Sequence, residues 1–296
     1  MKRVNSLFVL PFFAIITAAI IAVFSGCSSA PKKATEIFTD RNTAVKQLDL
    51  ANFTANRGRY EEALAILEEA RKLAVGADDP PLRLRTSMSR GNFLFALGRS
   101  AEAFAEWESA AAEGDSSGEP VLAALARIFS IRAKIMLLDT EPGAANVQEL
   151  IEPLNREMIA VRSDNGAVAI GNITLGLAER QMGRWVDAEN TVKKALSYHE
   201  NGLFLEDAAY DWFLIASIRS LAGNYEASLT ALRTAIGFDR RAENGFGLAS
   251  GWQATGDVLL KAGRGGEAAS AWRRAAEIYR AIGLNSLAEK VEALIQ

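Results

Sequence analysis

"GRYEEALAILEEA", Gly58 to Ala70, places a glycine and an aromatic residue ahead of apolar residues at helical spacing. One such block would be an ordinary helix start. The block returns as "GRSAEAFAEWESA" from Gly98, "GRWVDAENTVKKA" from Gly183, "GNYEASLTALRTA" from Gly223 and "GRGGEAASAWRRA" from Gly263, at spacings of 40, 85, 40 and 40 residues. A fixed period of this size marks stacked units that cannot bury their apolar faces alone. The 85-residue gap is about two periods, so it predicts a degenerate helical hairpin between about Pro120 and Val161, where Leu122, Leu125, Ile128, Phe129 and Arg132 keep helical spacing. Gly143 is the candidate turn of that unit, and the excess residues are expected as an insertion near "EGDSSGEP", residues 113–120.

A second helical pattern precedes each block, as in "AVAIGNITLGLAERQM" before Gly183 and "DAAYDWFLIASIRSLA" before Gly223. The unit is therefore helix, tight turn at glycine, helix. Glycine suits the turn because a helix often ends in a left-handed residue. Five residues past each glycine stands a small side chain: Ala63, Ala103, Ala188, Ser228 and Ala268. Large residues follow at Leu67, Trp107, Val192, Leu232 and Trp272, then Ala70, Ala110, Ala195, Ala235 and Ala275. Small residues let helices approach, and large ones fill the space between units.

This ladder resembles the second helix of the tetratricopeptide repeat (TPR). Gly91, Gly176 and Gly256, with Ala51 and Ala216, match the small residue of its first helix. The period is 40 residues where the family has about 34, and the closing proline is absent. The resemblance covers about residues 41–296 and implies an all-α fold: a right-handed TPR-like α-solenoid of about six helix-turn-helix units, with "SLAEKVEALIQ" capping its end. It also implies a groove lined by the first helices: Val45, Leu48 and Asn52; Arg85, Met88, Asn92 and Phe95; Ile170, Ile173, Leu177 and Arg180; Tyr210, Phe213 and Ser217. Within each helix these positions share a stripe. Two readings of that stripe stand open: a binding groove, or core buried by tighter winding. Asn52 and Asn92 likewise read either as groove contacts or as polar contacts between neighbouring helices. Leu48 and Met88 stand where a carboxylate-clamping relative would carry cations.

The chain opens "MKRVNSLFVLPFFAIITAAIIAVFSGCSSAPKK". Two cations, an apolar run and "FSGC" resemble a bacterial lipoprotein signal peptide. The resemblance implies removal of residues 1–26, lipid on Cys27, and a linker over residues 27–40. Cys27 is the only cysteine in 296 residues, and it falls where that chemistry needs it. The protein is then expected in the bacterial cell envelope, anchored by its lipid on the periplasmic side or at the cell surface.

One cysteine and one histidine exclude an internal disulfide and leave too few ligands for a Cys/His zinc centre. A formal charge of −3 offers no basic excess for nucleic acid. "GNITLG" and "GRGGEA" lack the Lys-Ser/Thr of a phosphate loop. His199 reads as a helix-terminal cation. "RRAENGFGLASGW", Arg240 to Trp252, reads as a connection between repeats whose Phe246 could edge a binding mouth. No cofactor, metal or catalysis is expected. The function implied is a membrane-tethered scaffold that holds a protein or peptide partner in its groove. The alternative is a binding protein for a small hydrophobic ligand, accessory to a periplasmic solute transporter.

Overall fold

The structure, a computed structural model, describes residues 38–138 and 147–295. Residues 1–26, Cys27, most of the linker and Gly143 lie outside the described residues. Thirteen helices are described: α1 (Thr39–Ala55), α2 (Tyr60–Gly76), α3 (Pro80–Ala96), α4 (Ser100–Ser117), α5 (Pro120–Leu138), α6 (Val147–Ala160), α7 (Asn165–Gln181), α8 (Trp185–Asn201), α9 (Leu205–Leu221), α10 (Tyr225–Arg241), α11 (Gly245–Lys261), α12 (Gly265–Ala281) and α13 (Asn285–Glu292). They form six hairpins and a closing helix, so the array is an all-α solenoid. The hairpin expected inside the long gap is there, as α5 and α6. No helix among the described residues is long and apolar enough to cross a membrane.

The turn glycines behave as the repeat requires. Gly58, Gly98, Gly183, Gly223 and Gly263 all lie between φ +70 and +79, a region that side chains disfavour. The connections between units use other devices. Asp79, Asp164 and Asn244 accept from backbone N–H groups of the following helix and cap α3, α7 and α11. Gly118, also left-handed, ends α4 directly before α5. That placement corrects the expected insertion near residues 113–120. First helices begin at Pro80, Pro120 and Asn165, so the excess falls inside the third hairpin.

The ladder residues pack as paired sizes. A Cβ added at Gly91 would overlap the Trp107 indole, and one at Gly256 would overlap Trp272. Gly176 meets Val192 in the same way. Ala51 and Ala216 take the equivalent place in the units whose large residue is Leu67 or Leu232. Tryptophan thus demands glycine sixteen positions earlier, because the two helices leave no room for a methyl group beside the larger ring. Ser228, the exception in the alanine series, is fully buried and its hydroxyl donates to the Ala216 carbonyl at 2.7 Å.

Three apolar clusters make up the core. One joins α1 and α2 through Ala44, Leu48, Ala51, Leu67 and Ala70. One centres on Trp107. The third runs from α5 to α13. The winding is tight enough to bring the chain back beside its start: the first hairpin turn, at Asn56 to Gly58, touches Glu206, Ala242, Phe246 and Leu284.

Candidate inner-face site

The first helices place the sequence-derived stripe along one face, and burial divides it. Leu48, Met88, Ile173 and Leu177 are at most 8% exposed and belong to the core clusters. For these four the core reading replaces the groove reading: extended helices stack closely enough to enclose the positions a shorter repeat would leave open. Asn52, Asn92, Phe95, Ile170, Arg180, Phe213 and Ser217 are half-buried, while Val45, Arg85 and Tyr210 are exposed. Asn52 accepts from the Ser89 hydroxyl at 3.1 Å, a polar contact between α1 and α3. Arg180 donates to the Ser217 hydroxyl at 3.0 Å, the matching contact between α7 and α9. Asn92 and Arg85 lie two turns apart on α3 and make no side-chain hydrogen bond or ion pair among the described residues. Phe95 follows them, its ring 6.0 Å from Trp107. Phe95→Ala is expected to cost about 2 kcal/mol, below the 3–5 of an enclosed ring, because the side chain is only partly enclosed; urea unfolding checks it.

The inner face narrows at α5 and α9. Arg132 donates to the Tyr210 hydroxyl at 3.1 Å, with its guanidinium 5.3 Å from the ring centre, although α6, α7 and α8 lie between these helices in the chain. Arg132 stands 40 residues after Asn92, in the register of the repeat, so extending the stripe into the degenerate unit would have found it. Behind Tyr210, Asp211 is fully buried and pairs with His199 Nδ1 at 2.6 Å. Its second oxygen, Oδ1, has no hydrogen-bond partner among the described residues. Burial opposes the charge on both groups. The hydrogen bond to Asp211 still raises the His199 imidazole, while burial raises the Asp211 carboxyl. Both groups therefore sit above their ordinary values, although the imidazole itself pulls the Asp211 carboxyl down. His199 lies in the last turn of α8, as its sequence position implies, and is a buried hydrogen-bonding partner of α9. No group of three or more His, Cys, Asp or Glu side chains among the described residues could hold a metal ion.

A cavity of about 200 Å³ lies between α9, α10 and α11. Phe213, Ser217, Ser220, Ser228, Asp257 and Lys261 contribute to its wall. Phe246 lies elsewhere: it packs 6.2 Å from Tyr279 and against Gly58.

A tetratricopeptide-repeat family profile matches residues 48–119, from the middle of α1 to the start of the third unit. Helical hairpins of the same kind recur to α12, with extra residues inside the third. The chain is a TPR-like α-solenoid in which residues 48–119 match the repeat profile. Among solved structures, the TPR array resembles a Rap protein complexed with competence and sporulation factor, at 15% identity and a TM-score of 0.57, over 84% of this chain and 68% of that one. It also resembles a signal-transduction ATPase with a tetratricopeptide-repeat sensor from Pyrococcus horikoshii, at 12% identity and a TM-score of 0.47, over 86% and 42% of the two chains. A tetratricopeptide-repeat protein from Parabacteroides merdae matches at 15% identity and a TM-score of 0.37, over 86% and 99%. At such identities the likeness is one of fold. No curated protein sequence matches. TPR arrays are scaffolds for protein binding, and the inner face of this one carries the accessible polar and aromatic groups such binding uses.

Proposed function

We propose that the protein is a lipid-anchored scaffold of the bacterial cell envelope whose inner face holds an extended segment of a partner protein. The observation that carries this reading is the exposed Arg85 and the half-buried Asn92 on α3, with Phe95 beside them. An asparagine amide can donate to and accept from a peptide backbone at once. An arginine can take a carboxylate through two parallel hydrogen bonds. The Rap protein solved with competence and sporulation factor shares the fold, which supports a bound partner here. The small-ligand reading fares worse. The cavity at α9–α11 is about 200 Å³ and includes Asp257 and Lys261 in its wall, and a larger hollow of about 550 Å³ beside it is lined by Asn224, Glu226 and Lys261 among others, whereas sites for drug-sized ligands are mostly apolar.

The test is a photo-crosslinking side chain at Asn92 in the full chain in its membrane, with Val186, exposed on α8, as the outer control. A partner captured at 92 and not at 186 supports the scaffold. Arg85→Glu is expected to weaken that capture about tenfold or more, the scale of a lost hydrogen bond to a charged group. Equal capture at both positions would exclude the inner face.

Anchoring has its own test. Cys27→Ala is expected to stop lipid addition, leaving the protein unprocessed or released from the membrane fraction. Mass spectrometry of the mature N-terminus checks it. Processing at another residue with normal retention would overturn the anchor while leaving the scaffold standing.

A further inference from the structure

Stacked repeats touch their neighbours, and their stability needs nothing more. The first hairpin turn does something else. Asn56 donates through Nδ2 to the Glu206 carboxylate, 150 residues away. The Arg57 guanidinium lies 3.6 Å from the same carboxylate and donates to the Ala242 carbonyl at 3.5 Å. Arg57 is held in place from behind, its guanidinium 3.3 Å from the centre of the Phe53 ring. A Cβ on Gly58 would come within 2.9 Å of both Leu284 and Phe246. Three consecutive residues thus reach the last two units and the closing helix. A Cβ added at Gly98, Gly223 or Gly263, the same place in other hairpins, would meet no more distant part of the described chain within 4 Å.

We propose that this contact is a clasp: it holds the superhelix closed around its inner face, and its release opens that face to a partner from the side. The contact has the properties a separable clasp needs. Its centre is a single carboxylate shared by two side chains, and the Arg57–Glu206 pair is 18% and 27% exposed, so water can replace it. The buried cluster of α1 and α2 includes none of the residues on the far side. Each side thus keeps its fully buried cluster when the two part, and Tyr60, which lies near Tyr279 of the far side, gains exposure. The closed form brings the start of the array against its end, and an extended segment could then enter only along the axis. The proposal concerns access to the inner face and holds whatever that face binds.

The test measures access in the full chain. Asn92→Cys places a thiol on the half-buried inner face, and Val186→Cys places one outside. Maleimide labelling at each site is followed by peptide mass spectrometry, which separates it from any labelling of Cys27. Glu206→Arg and Arg57→Glu should each speed labelling at 92 several-fold and leave 186 unchanged. The double variant Arg57→Glu/Glu206→Arg restores the pair in reverse and should return the rate at 92 towards that of the unmodified clasp. Circular dichroism checks that the helices persist. If one single variant fails to fold, the other and the milder Glu206→Gln carry the test. Unchanged labelling at 92 in every folded variant would overturn the clasp. So would fast labelling in the singles that the double variant fails to slow, since the effect would then not come from the pairing.

Discussion

Trp107→Ala is expected to destabilise the array by about 3–5 kcal/mol, a large share of the roughly 5–15 kcal/mol that folded domains of this kind possess. The indole is 2% exposed. Phe95, Phe104 and Phe129 lie with ring centres 5.7 to 6.4 Å from it, and its Nε1 donates to the Met88 carbonyl at 3.3 Å. Truncation empties that space, and Gly91 beneath it has no side chain to fill the void. The loss should be local at first. Trp107 belongs to the cluster of α3–α5, while the cluster from α5 to α13 has its own large residues. In a repeat array the destabilised units open before their neighbours. Hydrogen exchange should therefore show α1 to α5 losing protection while α9 to α12 keep theirs. Uniform loss along the whole chain would mean that the clusters unfold as one. Gly91→Ala paired with Trp107→Leu, the size combination of the first and fifth units, should recover part of the loss.

The second large effect is one of pH. Asp239, near the end of α10, is 5% exposed, and its carboxyl accepts from the Asn244 amide at 2.8 Å. Burial pushes it up to about 7, against the pull of that hydrogen bond, and the nearby Glu206 adds to the rise. A carboxyl with a raised value binds its proton more tightly in the folded chain than in the unfolded one. Its contribution is then complete below about pH 4 and is lost as pH rises through about 7. The size is roughly 2–4 kcal/mol, the lower figure allowing for the favourable field at the α11 N-terminus. The His199–Asp211 pair adds to the trend in the same direction. Glu189 works the other way: Arg219 holds it at about 2, so its contribution is present above about pH 4.5 and lost only as pH falls below that value. Between pH 5 and 8 it is constant. Thermal unfolding should therefore show the midpoint falling from pH 5 to pH 8, and Asp239→Asn should flatten most of that slope. A midpoint that rises over this range would contradict the assignment.

Much of the fold was legible because its determinants are local. The glycine at each turn answers to a left-handed backbone, and the Ala–large–Ala ladder answers to a single helix–helix distance. Both recur every 40 residues. The third hairpin was legible from arithmetic and from the helical spacing of its first helix, not from the ladder. Its second helix, α6, carries Pro153 and just one fully buried side chain, Leu154, so the ladder that marks the other units is missing. The site was less legible. A stripe at helical spacing says which residues share a face and not how closely the next helix covers them. Arg85 and Leu48 were indistinguishable in that respect, yet one is exposed and the other lies in the core. Asp211 gave no signal at all. Its partner stands twelve residues away on another helix, and only the packing of α8 against α9 joins them.

The contact between the first turn and Glu206 also bears on how the chain is made. Almost every other interaction in the array joins neighbours, so each hairpin can mature soon after it leaves the ribosome. The first turn is synthesised early and has nothing to close upon until Glu206 and Ala242 have emerged, and its contact with Leu284 waits longer still. At the usual pace of about 5–20 residues per second, that interval is on the order of ten seconds or longer. Throughout it, the nascent array stands open along its side.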